Sequence, residues 1–332
     1  MTIELGVALV STDISKYIEQ VRALDHAGIG MIGCGDSQAL YHEQFIRCAL
    51  AAEHSQQARV GTWITNPRTR HPAVTASAIA TIDDIAPKRT FLGVGTGDST
   101  VYNVGMKPAS LNTLADFVQT IRDLHTKGKS QWQNGECYLT WAQRKIPIGM
   151  APSGPKGFRL AGQIADIIWV CFGVEQDQIR LAKEYIAEGA ALAGRSLEDI
   201  DLWWMIQLSI GDSREEAIQK IKANLATSGH IIFRYGLEGK SVPVALHKPI
   251  EQLTRDYKSI EHFKSDNLTD NLGLTEYLAN RLAVAGTTNE IIDQIKKLNT
   301  LGANKLFFYT DTNRHKNLVP QLTMDIMPHL ND

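Results

Sequence analysis

Two short stretches carry residue types whose spacing suits a flat, charged ligand. "GVGTGDS", Gly93–Ser99, sets three glycines among a threonine, an aspartate and a serine. Glycine has no Cβ, so a planar molecule can approach the main chain closely, and Gly95, Thr96 and Gly97 would line that contact. The alternative is tight packing at a strand end. "APSGPKGFRLAG", Ala151–Gly162, places small residues and Pro155 ahead of a helical pattern. Backbone N–H groups near Ser153 and Gly154, with the positive end of that helix behind them, form an anion site whose natural guest is a phosphate. A plain capped turn is the other reading of this stretch.

The first stretch looks like a dinucleotide fingerprint but departs from it. Asp98 stands where the third glycine belongs, and the next helical pattern begins only near Leu111. No helix N-terminus is then poised over a pyrophosphate, which argues against a Rossmann unit.

The elements that must hold these residues alternate in type. Strand-like runs are "IELGVALV", "GMIGCGDS", "RVGTWITN", "TFLGVGTGDS", "KIPIGMA", "ADIIWVCFG", "IDLWWMIQLSI" and "NKLFFYTD". Most are continuous apolar stretches, the pattern of strands covered on both faces. Between them lie amphipathic segments such as Ile14, Ile18, Val21 and Leu24, which share one helical face. Asp212 with Glu215 and Thr287 with Glu290 read as helix-capping pairs. Parallel strands joined by helical crossovers predict a single α/β domain, a (β/α)8 TIM barrel, with an open doubly wound sheet as the alternative. Residues 228–285 break the repeat and read as a mostly helical insertion between strands 7 and 8. "GKSQWQNGECYLTWAQRK" reads as a small hairpin turning at Asn134 and Gly135.

A barrel gathers function at the carboxyl ends of its strands. There this sequence turns polar: Asp36 and Ser37, Thr65 and Asn66, Thr96 to Ser99, Ser153 and Gly154, Gly173, and Thr310 with Asp311. In "TNPRTRHPAVTASAIATIDDIAP", residues 65–87, Pro67 stops the strand and Pro72 opens a helix whose Ala73, Ala76, Ala78 and Ala80 permit close packing. His71 reads as structural there. Arg68 and Arg70 either meet an anionic tail or cross-link loops.

Composition excludes other classes. A net charge of −2 gives no reason to expect nucleic acid or an anionic membrane surface. No leader or spanning segment is evident, so a cytoplasmic protein is expected. Cys34, Cys48, Cys137 and Cys171 lack C-x-x-C spacing and read as free thiols, with no metal expected.

The 65–87 block, "GVGTGDS", "APSGP" and the closing "GTTNEIIDQIKKLNTLGANKLFFY" together resemble the bacterial luciferase-like superfamily over nearly the whole chain. The resemblance is to the branch that contains methylenetetrahydromethanopterin reductase. It implies a barrel that binds FMN or the deazaflavin coenzyme F-420 at its mouth, in a homodimer. It also implies a non-prolyl cis peptide at Trp63–Ile64 behind the ring, with ring contacts from Asp36, Thr65, Asn66, Gly95 and Thr96. The phosphate turn falls on Ser153 and Gly154, with Gly173 nearby. Asp36 and His42 are the candidate catalytic groups; an imidazole with an ordinary pKa of about 6.5 suits a general base or the orientation of a flavin oxygen adduct. A capping or solvent-facing His42 is the alternative.

The expected activity is a monooxygenase that uses reduced FMN and oxygen on a small organic substrate, supplied by a separate flavin reductase. The alternative is hydride transfer with F-420, and a third reading is a flavin-binding protein without turnover. FMN is preferred because no cluster of lysines and arginines is evident for a polyglutamate tail. Trp63, Trp169, Trp203, Trp204, Phe172 and Phe233 are either core or pocket.

Overall fold

The computed structural model describes residues 2–331 apart from 262, 263, 265, 266 and 312–316. Its strands are β1 (Glu4–Val10), β2 (Met31–Cys34), β3 (Arg59–Thr65), β4 (Thr90–Val94), β5 (Lys129–Trp132), β6 (Gly135–Tyr138), β7 (Ile148–Met150), β8 (Ile167–Val170), β9 (Asp201–Ile210), β10 (Ala283–Gly286) and β11 (Lys305–Asp311). β1, β2, β3, β4, β7, β8, β9 and β11 pair in parallel and close into a barrel. Closure comes from β11 on β1, Glu4 opposite Lys305, and from β8 on β9, Ile167 opposite Asp201.

The continuous apolar runs are explained by two cores. Inside the barrel, Phe91, Trp169, Trp203 and Phe307 pack with Met31 and Ala8. Phe307 lies at the centre, its ring 5.9 Å from Trp169 and 6.2 Å from Trp203. Outward residues of the same strands, Leu306 and Phe308 for example, pack under the helices in a second core. Each strand is thus apolar on both faces, which a parallel sheet wrapped in helices requires. Trp169, Trp203, Trp204 and Phe233 are core, whereas Trp63 and Phe172 reach the cleft described below.

The helices are α1 (Ile14–His26), α2 (Gln44–His54), α3 (Pro72–Ile85), α4 (Ser99–Tyr102), α5 (Leu111–Lys127), α6 (Pro155–Ile164), α7 (Gln176–Leu192), α8 (Arg214–Phe233), α9 (His247–Asp256), α10 (Leu268–Asn271), α11 (Thr275–Leu282), α12 (Thr288–Thr300) and α13 (Leu318–Gln321). Ala76 and Ala80 of α3 are fully buried, as their small size suggested. Thr287 and Glu290 form the capping box of α12. For α8 the cap is Ser213, whose hydroxyl accepts from Glu216 N at 3.2 Å, and not Asp212, whose backbone N–H donates to the Glu216 carboxylate. The single turn α4 follows β4 directly, ahead of the helix expected near Leu111.

Between β9 and β11 the chain is mostly helical. The start of the segment expected at 228–285 falls inside α8, and at its other end β10 forms a strand where none was read. β10 pairs with the upper part of β9, Ala283 opposite Gln207, beyond the stretch that β11 uses. A separate apolar cluster of Ile232, Phe233, Ile250, Leu253 and Leu278 holds α8, α9 and α11 together. β5 and β6 form the expected hairpin, but it turns at Gln133 and Asn134 rather than at Asn134 and Gly135: Gln133 takes the left-handed region and Gly135 already pairs with Trp132. Among the described residues no helix is long and apolar enough to cross a membrane.

Candidate active site

A cleft of about 1140 Å³ opens at the carboxyl ends of the barrel strands. Its floor is Val10, Trp63, Ile64, Met205 and Tyr309, the upper layer of the barrel interior. The Trp63–Ile64 peptide is cis, as the resemblance implied, and the β3–β4 register shifts between Thr62 and Thr65. Ile64 then lies against the tip of β4, where a Cβ on Gly95 would stand only 2.3 Å from Ile64 Cδ1. A side chain at Gly95 would displace the tip of Ile64, and the two strand tips together make an apolar ledge.

Of the residues expected at the ring, Asp36, Asn66, Gly95, Thr96 and Gly97 all line this cleft. Asn66 Oδ1 accepts from the backbone N–H of Arg68 at 2.9 Å and of Thr69 at 3.0 Å, which folds the polar loop after β3. Thr65 is fully buried and does not line the cleft; its carbonyl accepts from Gly95 N at 2.9 Å, so it sets the ledge through its backbone. Asp36 is held by its carbonyl, which accepts from Thr100 Oγ1 at 2.6 Å. Burial pushes its carboxyl up to about 6, Arg70 pulling the other way and Glu43 adding to the rise.

His42 is not brought to the cleft. Arg47, fully buried, donates to the carbonyls of Leu9, Gly35 and His42, which draws the His42 backbone inward and leaves its side chain in solvent. The neighbouring Tyr41 faces the cleft instead, its hydroxyl 2.8 Å from that of Tyr309. His71 caps α3, accepting from Ala73 N, and Arg70 pairs with Glu43. Both are loop-building contacts.

The turn after β7 is open to an anion. Gly154 is the N-cap of α6 without a side-chain cap, and Pro155 fills the first turn, so the helix presents free N–H groups and its positive end. Ser153 and Gly154 line the cleft there. Lys240, only 4% exposed, stands over this turn, its Cε 3.1 Å from where a Gly154 Cβ would be. It donates to the Ile232 carbonyl, and no ion pair to it exists among the described residues. Burial first, then Arg281 and Arg234, push its ammonium down to about 8. A buried lysine beside an uncapped helix start fits a phosphate.

Gly173 does not join that turn. At φ 134° it packs against Arg281, whose Cγ would lie 2.9 Å from an added Cβ, while Cys171 and Phe172 line the cleft. Arg281, fully buried, donates to the carbonyls of Phe172 and Lys240 and to Tyr277 Oη, and so ties the β8 loop to the Lys240 segment.

Sequence reading did not find the pairing of Asp98 with Arg234. Arg234, at the end of α8, pairs with Asp98 of the β4 loop and reaches the Gly97 carbonyl, joining the cleft's two sides. The partners are far apart in the chain, so no local pattern announces them.

An apolar ledge at one end of the cleft and a basic, uncapped helix start at the other suit a planar, phosphate-bearing ligand. The family model of luciferase-like monooxygenases matches residues 2–305, and the chain belongs to that family of oxidoreductases. It is 27% identical over 273 residues to 5,10-methylenetetrahydromethanopterin reductase of Archaeoglobus fulgidus, which covers 77% of this chain and 78% of that one. It is 25% identical over 296 residues to F420-dependent glucose-6-phosphate dehydrogenase of Mycobacterium leprae, covering 84% of this chain and 80% of the relative. The solved structure of the coenzyme F420 dependent tetrahydromethanopterin reductase from Methanopyrus kandleri superposes with a TM-score of 0.79 at 22% identity, over 99% of this chain and 100% of that one.

Proposed function

We propose that the protein is a coenzyme F420-dependent oxidoreductase that moves a hydride between the deazaflavin and an organic substrate. The observation that carries this reading is that the cleft does not stop at the phosphate turn. Beyond Ser153 and Gly154 it is lined by Lys156, Arg159, Tyr185 and Glu238. FMN ends in its phosphate, whereas F420 continues into a polyglutamate tail. The sequence favours FMN because it shows no basic cluster; in the folded chain Lys156, Arg159 and Lys240 line one cleft, Arg159 paired with Glu188, which supports a longer anionic tail. The F420-dependent dehydrogenase among the relatives supports the same reading.

The bound coenzyme would supply the carbon that gives or takes the hydride. The chain supplies the rest. Trp63 and Ile64 would support the ring, Gly95 to Gly97 would admit its edge, and the α6 N-terminus with Lys240 would hold the phosphate. The apolar floor excludes water from the reacting face. Asp36, with its carboxyl near 6, can hold or release a proton at the cleft wall close to neutral pH.

The test is anaerobic incubation with reduced F420 and a panel of acceptors, following oxidation of the coenzyme. Saturable oxidation that depends on one acceptor class supports the reading. Oxygen consumption with reduced FMN and a flavin reductase, and no reaction with reduced F420, would favour the second reading, which the family's monooxygenase name supports.

A further inference from the structure

Two phenols meet at the floor of the cleft. Tyr41 comes from the loop between β2 and α2, Tyr309 from near the end of β11, and their hydroxyl oxygens lie 2.8 Å apart. Tyr309 is two residues beyond Phe307, so both point into the barrel, Tyr309 one layer nearer the mouth. Phe307 packs on Trp63 at 5.3 Å, and both tyrosines belong to the same packed cluster as Trp63, Ile64, Val10 and Met205. The pair therefore stands beside the ring ledge, at the end of the cleft away from the phosphate turn. Beneath it lies the apolar barrel interior, and beside it Tyr257, which feels Tyr41 together with Asp98 and Arg234.

We propose that the Tyr41–Tyr309 pair is the hydrogen-bond donor that grips the oxygen of a carbonyl substrate and protonates it as hydride reaches the carbonyl carbon. This rests on the F420 reading above. In the direction of reduction, the hydride supplied by the reduced deazaflavin bonds to carbon, the C=O π pair moves onto oxygen, and that oxygen takes the phenolic proton. The products are an alcohol and the oxidised coenzyme, and the phenolate regains a proton through the second tyrosine from solvent. Two linked phenols polarise each other, which makes the outer O–H a stronger donor than a single one.

The experiment uses cyclohexanone as the probe and Tyr41→Phe and Tyr309→Phe as variants, with circular dichroism to confirm that each folds. Tyr41 is only half-buried, so its variant serves if the Tyr309 variant is unstable. In the protein without coenzyme, the infrared C=O stretch of bound cyclohexanone should lie at lower frequency than in an apolar solvent and return toward the solvent value in both variants. With reduced F420, kcat for cyclohexanone should fall about 100-fold in each variant, the usual scale for a positioned general acid, with a smaller change in KM. A C=O band unmoved by either substitution, no bound band in the parent protein, or an unchanged kcat overturns the proposal. So does an enzyme that binds F420 but reduces no ketone or aldehyde. Failure to bind F420 sinks the coenzyme reading instead, while the infrared band still decides the role of the pair.

Discussion

Replacing Asp36 by Asn should make the protein more stable, and by an amount that grows with pH. Asp36 lines the cleft half-buried, with Arg70 and Arg47 too weakly placed to offset its desolvation, so its folded pKa rises from 3.8 to about 6. The folded chain therefore binds this proton more tightly than the unfolded chain does. Its favourable contribution is complete below about 3.8 and is lost as pH rises through about 6. Two pKa units correspond to roughly 3 kcal/mol, and integration gives about 1.5 kcal/mol at pH 5 and about 3 kcal/mol at pH 8, as ceilings that solvent at the cleft mouth reduces. Asn keeps the shape and cannot ionise. Chemical denaturation of both proteins between pH 4 and pH 8 reads the difference directly. The gap should be about 0.5 kcal/mol at pH 4, widen up to about pH 6 and level off above it; a gap independent of pH, or one that narrows, refutes the reasoning.

Further outcomes follow from the same geometry. Lys240→Met should weaken F420 binding about 10- to 100-fold, the scale of one charge-assisted hydrogen bond. In the parent protein that affinity should decline as pH passes about 8, where Lys240 loses its charge, and fluorescence titration at several pH values should show no such decline in the variant. Gly95→Ala pushes on Ile64 Cδ1 and should tilt the ledge, lowering coenzyme affinity about tenfold while the protein remains folded by circular dichroism. Arg234→Met leaves Asp98 without its partner and should cost about 1–3 kcal/mol by thermal or chemical unfolding, most of it recovered in the double variant with Asp98→Asn.

Much of the barrel was legible because burial on both faces leaves a plain signature: "IIWV" and "LFFY" are apolar at every position, and each became part of a barrel strand. β10 was not legible, since a four-residue strand among helices carries too little pattern to separate from a helix end. The Ser213 cap was misplaced by one residue because Asp212 and Ser213 are both good caps and only the fold chooses between them. At the site, the glycines of "GVGTGDS" and the "APSGP" turn could be read because small residues report close approach locally. His42 was misleading for the opposite reason. Its chemistry suits a catalyst, but the direction of its side chain is set by Arg47, whose three carbonyl partners are contributed by β1 and the β2 loop. Tyr41, Lys240 and Arg234 gained their meaning from partners distant in the chain, and no window of sequence contains those partners.

The account turns on which coenzyme the cleft takes, and equilibrium titration of the purified protein with F420 and with FMN, each followed by its absorbance spectrum, measures that directly. Saturable binding of F420, with FMN bound far more weakly and Lys240→Met impairing the F420 titration, is the result expected. Tight binding of FMN with no spectral response to F420 would contradict it.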